Sequence, residues 1–233
     1  MKEERQKATH VLLLDAGNAL SGPHPTDAKL IVEAMNLLGY DAMALGEREF
    51  ELDIEALRQR MAEAEFPFLS ANVTLAETGE LLAKPYAVKE IGGHRVAIIG
   101  LTSPKATQAR SGKHIAVLDP LETARRYVAE VGEEADIIIV LSNLGLREDK
   151  RLASAVEGID LIVGGNSRNI LDPPLRVKDT VIVQAGFYGE WVGEVELHID
   201  EEGTVTGHEG RIVTLTPDFA DDPEMRTFLD KHK

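Results

Sequence analysis

The chain has no cysteine, a single tryptophan and only 5% aromatic residues. Without cysteine there are no disulfides, no thiolate metal ligands and no cysteine nucleophile, and the compartment stays open. No apolar run approaches the ~20 residues of a membrane-spanning helix. Positive charge is scarce: 25 Lys and Arg stand against 40 Asp and Glu, a formal charge of −15. Nucleic acid and anionic membranes both need a basic face, so neither is an expected partner. The opening residues, Met1 to Lys7, are polar and hold no apolar h-region, so no signal peptide is expected there. An exported form would have lost its signal or carried it outside these residues.

What remains is an ordinary globular composition, 43% hydrophobic and 28% charged over 233 residues. That length is ample for one α/β domain with a buried core, and no linker, repeat or low-complexity stretch divides residues 1–233. Residues 2–8 read as the tail of a solvated helix. His10 to Leu14 reads as a buried strand, and a loop from Ser21 to Thr26 leads into a helix with apolar Leu30, Ile31, Ala34, Met35 and Leu38, stopped by Gly39. Ala42–Leu45 is a second strand, Ile54, Leu57 and Met61 mark a second helix, and Phe66–Val73 is a third strand. This β-α-β-α-β order implies a parallel sheet. Gly92-Gly93 between Tyr86–Ile91 and Arg95–Leu101 signals a hairpin. Asp119 before Pro120 predicts a capped helix through Val131. A fully apolar strand, Ile137–Leu141, precedes a short helix over 148–156 and a strand at Leu161–Val163. The last third reads as β (Leu175–Lys178, Thr180–Gln184, Trp191–Ile199, Gly210–Thr216), closed by a helix over 222–231.

Several strand ends run into Gly- and Asn-rich corners, and their order carries a resemblance. The corners are Leu12-Leu13-Leu14-Asp15-Ala16-Gly17-Asn18, then Gly46-Glu47-Arg48-Glu49-Phe50-Glu51, Ser142-Asn143-Leu144-Gly145 and Gly164-Gly165-Asn166-Ser167-Arg168. With the segments Phe66–Val73, Ile98–Pro104 and Ile182–Gly189, they resemble the 5′-nucleotidase branch of the calcineurin-like metallophosphoesterases over nearly the whole chain. The resemblance implies a metallophosphoesterase-like αββα sandwich, two mixed sheets flanked by helices. It also implies that the family's opening Asp-x-His strand and its C-terminal nucleoside-recognition domain have no counterpart here. A missing strand would leave a sheet edge open, which makes a homo-oligomer or a larger parent protein plausible.

The departures decide the chemistry. Where the family places a bridging Asp this chain has Asn18, and its metal-binding Asn is Glu47. Its phosphate-contacting His is Arg48, and its remaining His ligands are Asn143, Asn166 and Arg168. All seven histidines (His10, His24, His94, His114, His198, His208 and His232) fall outside the corners. Two divalent cations would meet one carboxylate, three carboxamides and two permanent cations, so no metal and no cofactor is expected. The weak candidates for a single Mg²⁺ or Ca²⁺ are Glu47, Asn18, Asn143 and Asn166, because amide oxygens suit hard ions.

No catalytic residue is assigned. Ser103, Ser142 and Ser167 have no histidine placed beside them by motif, and Gly164-Gly165 lacks the lysine of a P-loop. Glu47 and Glu49 would alternate in an extended segment, which gives paired-carboxylate chemistry little support. Two uses of the altered cleft stay open. Glu47 and Glu49 pair with Arg48 and Arg168, replacing metal charge with ion pairs. Alternatively, Arg48 and Arg168 form a fork for a phosphate or carboxylate, with Asn143 and Asn166 donating amide hydrogens. The reading is a catalytically degenerate binding or scaffold domain; the alternative is a phosphoester hydrolase with a reduced metal site. By resemblance the location is the cell envelope or periplasm if a signal was removed, otherwise the cytoplasm.

Overall fold

A computed structural model describes residues 8–20, 25–201 and 203–232. The helix tail expected over 2–8 lies outside them up to residue 7, as do residues 21–24 of the first loop. The first βαβαβ unit is present, as β1 (Leu14–Asp15), α1 (Pro25–Leu38), β2 (Ala42–Ala44), α2 (Ile54–Glu63) and β3 (Phe68–Leu69). Its first strand is not the buried His10–Leu14 run expected: only Leu14 and Asp15 pair, and His10 and Val11 are exposed. The three strands form a parallel sheet in the order β1-β2-β3, with Asp15 opposite Met43 and Met43 opposite Phe68.

The expected third strand, Phe66–Val73, is two strands in two sheets. After β3 the chain turns through Ser70-Ala71-Asn72 into β4 (Val73–Leu75), which pairs antiparallel with β7 (Ile115–Val117), a strand absent from the sequence expectations. Between them lie β5 (Tyr86–Ile91) and β6 (His94–Leu101), the hairpin signalled by Gly92-Gly93. The turn at 70–72 is fixed from outside: Asn72 Nδ2 donates to Thr102 O at 2.8 Å, and Thr102 N donates to Asn72 Oδ1 at 2.9 Å.

The second half supplies α3 (Pro120–Val131), β8 (Ile137–Ser142), α4 (Leu146–Ala155), β9 (Leu161–Gly164), β10 (Leu175–Val177) and β11 (Thr180–Val183). The Asp119 carboxylate accepts from Glu122 N at 2.9 Å, the cap expected of α3. A six-stranded mixed sheet runs β10-β11-β9-β8-β6-β5. The long hairpin β12 (Trp191–Ile199) and β13 (Val205–Thr214) and the short helix α5 (Pro223–Asp230) complete the chain.

Alternation within strands sorts side chains into three cores. Ile138 and Val140 of β8 face α3 and α4, packing with Tyr127, Val128 and Leu152. Ile137, Ile139 and Leu141 face the other way, against Ala42, Ala44 and Leu69 of the parallel sheet. Met43, Leu45 and Phe68 meet Val32, Met35 and Leu57 of α1 and α2. The layers are therefore helix, sheet, sheet, helix. Each fully buried Leu, Ile or Phe in them contributes about 1.5–3 kcal/mol. No described helix is long and apolar enough to cross a membrane.

Candidate functional site

The ends of β1 and β2 from one sheet, and of β8 and β9 from the other, converge on one cleft. Each strand runs straight into a corner residue: Asn18, Glu47, Asn143 and Asn166. The local backbone is built for tight turning. Gly17 has φ +89°, Asn18 +73° and Asn166 +66°, the left-handed region that glycine and asparagine tolerate best. Asp15 Oδ1 accepts from Gly17 N at 2.8 Å and closes the first turn. Gly46 allows the corners to meet, because a Cβ there would lie 2.3 Å from Asn18 Oδ1 and 2.7 Å from Asn143 Nδ2.

The carboxamides bond to one another and to the backbone. Asn18 Oδ1 accepts from Arg48 N at 2.9 Å, and the fully buried Asn143 accepts from Glu47 N at 3.1 Å. Asn143 Nδ2 donates to Ala16 O at 2.8 Å. Asn166 Nδ2 donates to Asn143 O at 3.1 Å and to Glu47 Oε2 at 3.3 Å. These bonds join all four strand ends. The structure thus brings Glu47, Asn18, Asn143 and Asn166 together as the sequence reading grouped them. It aims the Asn143 and Asn166 amide hydrogens at protein acceptors rather than outward.

The segment after Gly46 is a 3-10 turn over Arg48–Glu51, not the extended run expected, so Glu47 and Glu49 do not alternate across a strand. The turn sends Glu49 into the core. It is fully buried and accepts from Asn18 N at 2.9 Å, Leu20 N at 3.0 Å and Gly46 N at 2.6 Å. Burial raises the Glu49 pKa, and these backbone donors oppose the shift. Asp15 is pushed up to about 6, by burial first and then by the neighbouring Glu49 charge. The ion-pair reading is corrected on this point: Glu49 is held by backbone amides, and neither Arg48 nor Arg168 forms a salt bridge with any described residue. Arg48 is exposed on the cleft rim. Arg168, at φ +58°, stacks over Phe187 and Tyr188 with its guanidinium carbon 5.3 and 5.9 Å from the ring centroids.

Behind the cleft lies a second buried carboxylate that the sequence reading missed. Asp149, in the first turn of α4, is fully buried and takes a hydrogen bond from the Ser142 hydroxyl. Burial pushes its pKa up to about 7. Ser167 is likewise structural, donating to Gln184 Oε1 at 3.0 Å and accepting from Leu146 N at 2.9 Å. One clue to Glu49 was available in the sequence: Gly46-x-x-Glu49 has the three-residue spacing of a capping box, in which a carboxylate folds back onto an earlier N–H.

The donor set does not fit the two metals that the resemblance implies. It offers one carboxylate, Glu47, and amide oxygens already turned to N–H groups. Among the described residues no cluster of three or more His, Cys, Asp or Glu forms a ligand shell.

No protein-family model matches the chain. Curated relatives do. It is 31% identical over 277 residues to the trifunctional nucleotide phosphoesterase protein YfkN of Bacillus subtilis, covering 100% of this chain and 19% of that protein. It is 30% identical over 255 residues to the 5′-nucleotidase of Bos taurus, covering 97% of this chain and 44% of that protein. The chain thus spans less than half the length of these relatives. Among solved structures, a 5′-nucleotidase precursor from Thermus thermophilus superposes with a TM-score of 0.89 at 32% identity, over 99% of this chain and 50% of that one. The calcineurin-like phosphoesterase YfkN from Bacillus subtilis superposes with a TM-score of 0.85 at 23% identity, over 99% and 85%, and speaks for the fold alone. With the corners arranged as described, the chain belongs to the 5′-nucleotidase branch of the calcineurin-like phosphoesterases.

Proposed function

We propose that this domain is a catalytically silent member of its family, a metal-free binding or scaffold module whose cleft rim takes a phosphate or carboxylate. The observation that carries the reading is the mutual hydrogen bonding of Asn18, Glu47, Asn143 and Asn166. Side chains that would have to coordinate cations are instead hydrogen-bonded, Asn18 and Asn143 to backbone N–H groups and Asn166 to Glu47 and a backbone carbonyl. Such a donor set is a poor holder of the Lewis acid that would lower a water's pKa, and no corner residue is an imidazole to take its proton. Arg48 and Arg168 support the anion reading, because in a chain of charge −15 they are guanidiniums without an acidic partner among the described residues. Against a small anion deep in the cleft stands the Glu47 carboxylate beside Asn166.

The second reading, hydrolysis of phosphate esters on a reduced metal site, rests on the 31% identity to a nucleotide phosphoesterase across the chain. Metal analysis of the purified protein, with hydrolysis of AMP and bis(p-nitrophenyl) phosphate under added Mn²⁺, Mg²⁺ or Ca²⁺, separates the two. The expected result is substoichiometric metal and rates at the buffer background. Stoichiometric metal with turnover lost in Glu47→Gln overturns the proposal. For the anion, inorganic phosphate should raise the unfolding temperature, and Arg48→Ala and Arg168→Ala should each reduce that rise.

A further inference from the structure

Beside the cleft, the chain displays apolar surface that its own fold leaves uncovered. Eight large hydrophobic side chains are exposed among the described residues, and three stand on adjoining segments: Ile170 at 44%, Tyr188 at 75% and Leu215 at 43%. Backbone contacts bring these segments together. Ile170 bridges to Ala185, Gly186 N donates to Asn169 O at 2.8 Å, and Leu215 N donates to Glu190 O at 2.8 Å.

Arg168 lies over this patch. Its guanidinium carbon lies 5.3 and 5.9 Å from the ring centroids of Phe187 and Tyr188, whose rings meet edge-on at 4.8 Å. A guanidinium held against aromatic rings, with no acidic partner among the described residues, suits a carboxylate brought by a ligand. Arg168 and Tyr188 both hold left-handed backbone, at φ +58° and +60°. Non-glycine residues keep such conformations, at a cost of about 1–3 kcal/mol, where the surroundings over-determine them, often at ligand clamps. Arginine and tyrosine on an apolar field are also the composition of protein interface hot spots.

We propose that this patch docks a segment of a partner polypeptide that lays one Asp or Glu carboxylate on Arg168 and a neighbouring apolar side chain on Tyr188 and Leu215. The proposal deepens the binding-module reading and rests on it. Charge selects the class of occupant: an unpaired guanidinium asks for an acid, while exposed Glu190, two residues from Tyr188, repels a polyanion such as nucleic acid. Extent selects a polypeptide, since a free phosphate covers Arg168 but leaves the apolar residues wet.

The test is a random-peptide display selection on the wild-type protein, counter-selected on the Arg168→Ala, Tyr188→Ser double variant. Enriched sequences are then synthesised and titrated against the emission of Trp191, the only tryptophan, whose ring lies 5.7 Å from Phe187. The expected consensus holds Asp or Glu beside an aromatic or aliphatic residue. Affinity should fall at least tenfold in Arg168→Ala, in Arg168→Lys and on Asp→Asn exchange in the peptide, with the variants' unfolding temperatures unchanged. No enrichment, an acid-free consensus, or equal binding to Arg168→Ala overturns the proposal. So does an Arg168-dependent response to inorganic phosphate when no peptide gives one, which makes a small anion the occupant. Self-association in sedimentation that Arg168→Ala abolishes also overturns it, since the occupant is then a second copy. Peptide binding with phosphoester turnover in the earlier assay would sink the silent-domain reading and leave this surface standing.

Discussion

Glu49 shows how one side chain can hold a cleft from behind. Its two oxygens take three backbone N–H groups from Asn18, Leu20 and Gly46, which ties the first corner to the second. Glu49→Ala would strand three donors with no acceptor, a loss of roughly 3 kcal/mol or more in chemical denaturation. Glu49→Gln should fall between, since its one oxygen can keep the Asn18 and Gly46 bonds while its NH₂ faces Leu20. Equal stability of all three proteins would remove the clamp role. Asp149 gives a pH signature of definite sign. Its pKa is raised by burial from 3.8 to about 7, so the folded state holds the proton more tightly than the unfolded chain. The folded state is therefore favoured below pH 4, and this favour is lost as pH climbs from 4 to 7. By pH 8 ionising the buried acid costs up to about 4 kcal/mol. Asp149→Asn keeps an acceptor for Ser142 and carries no charge. Its stability should exceed the wild type's at pH 8 and depend less on pH between 4 and 7, as measured by urea midpoints. A steeper pH dependence in the variant would refute this account.

At the scale of elements, the sequence shows most of what is continuous and little of what is held at a distance. The run Ile137 to Leu141 declares β8 because nothing polar interrupts it, and Asp119-Pro120 declares the start of α3 by local chemistry. The corners were legible for the same reason: each follows the end of an apolar strand. The break within Phe66–Val73 was not, because its cause lies 30 residues away in Thr102. Ser70, Asn72 and Thr102 form one buried polar knot, with the two hydroxyls 2.8 Å apart and Thr102 Oγ1 donating to Leu45 O at 2.7 Å. Likewise, the Asn143 amide direction is set by Ala16, 127 residues earlier, and no local pattern encodes that. The same geometry makes a prediction. Asn72→Ala removes the partner of both the N–H and the C=O of Thr102 in a dry interior, and should cost about 2–4 kcal/mol. Asn72→Asp, which keeps the acceptor but loses the donor, should not recover it. A cost under 1 kcal/mol for Asn72→Ala would mean that the turn between the two sheets is fixed by packing alone.

For the molecule as a whole, excess negative charge sets the terms. A formal charge of −15 is compacted into a volume much smaller than the unfolded chain occupies, so self-repulsion favours unfolding. The opposing term is a set of surface ion pairs such as Arg125–Glu122 and Arg226–Asp221, both largely exposed, and such pairs contribute about 0–1 kcal/mol each. Salt weakens both terms. It screens the long-range repulsion first, because charges a Debye length of about 10 Å apart at 0.1 M are already decoupled while contact pairs still attract. The unfolding temperature should therefore rise by a few degrees from 20 mM to about 0.3 M NaCl and then level off. Equal concentrations of KCl should give the same curve, since the effect needs only ionic strength. A midpoint that falls with added NaCl would place the ion pairs above the repulsion. A rise confined to Mg²⁺ or Ca²⁺ at millimolar concentration, and lost in Glu47→Gln, would instead report a cation held at the strand ends and would count against the metal-free reading of the cleft.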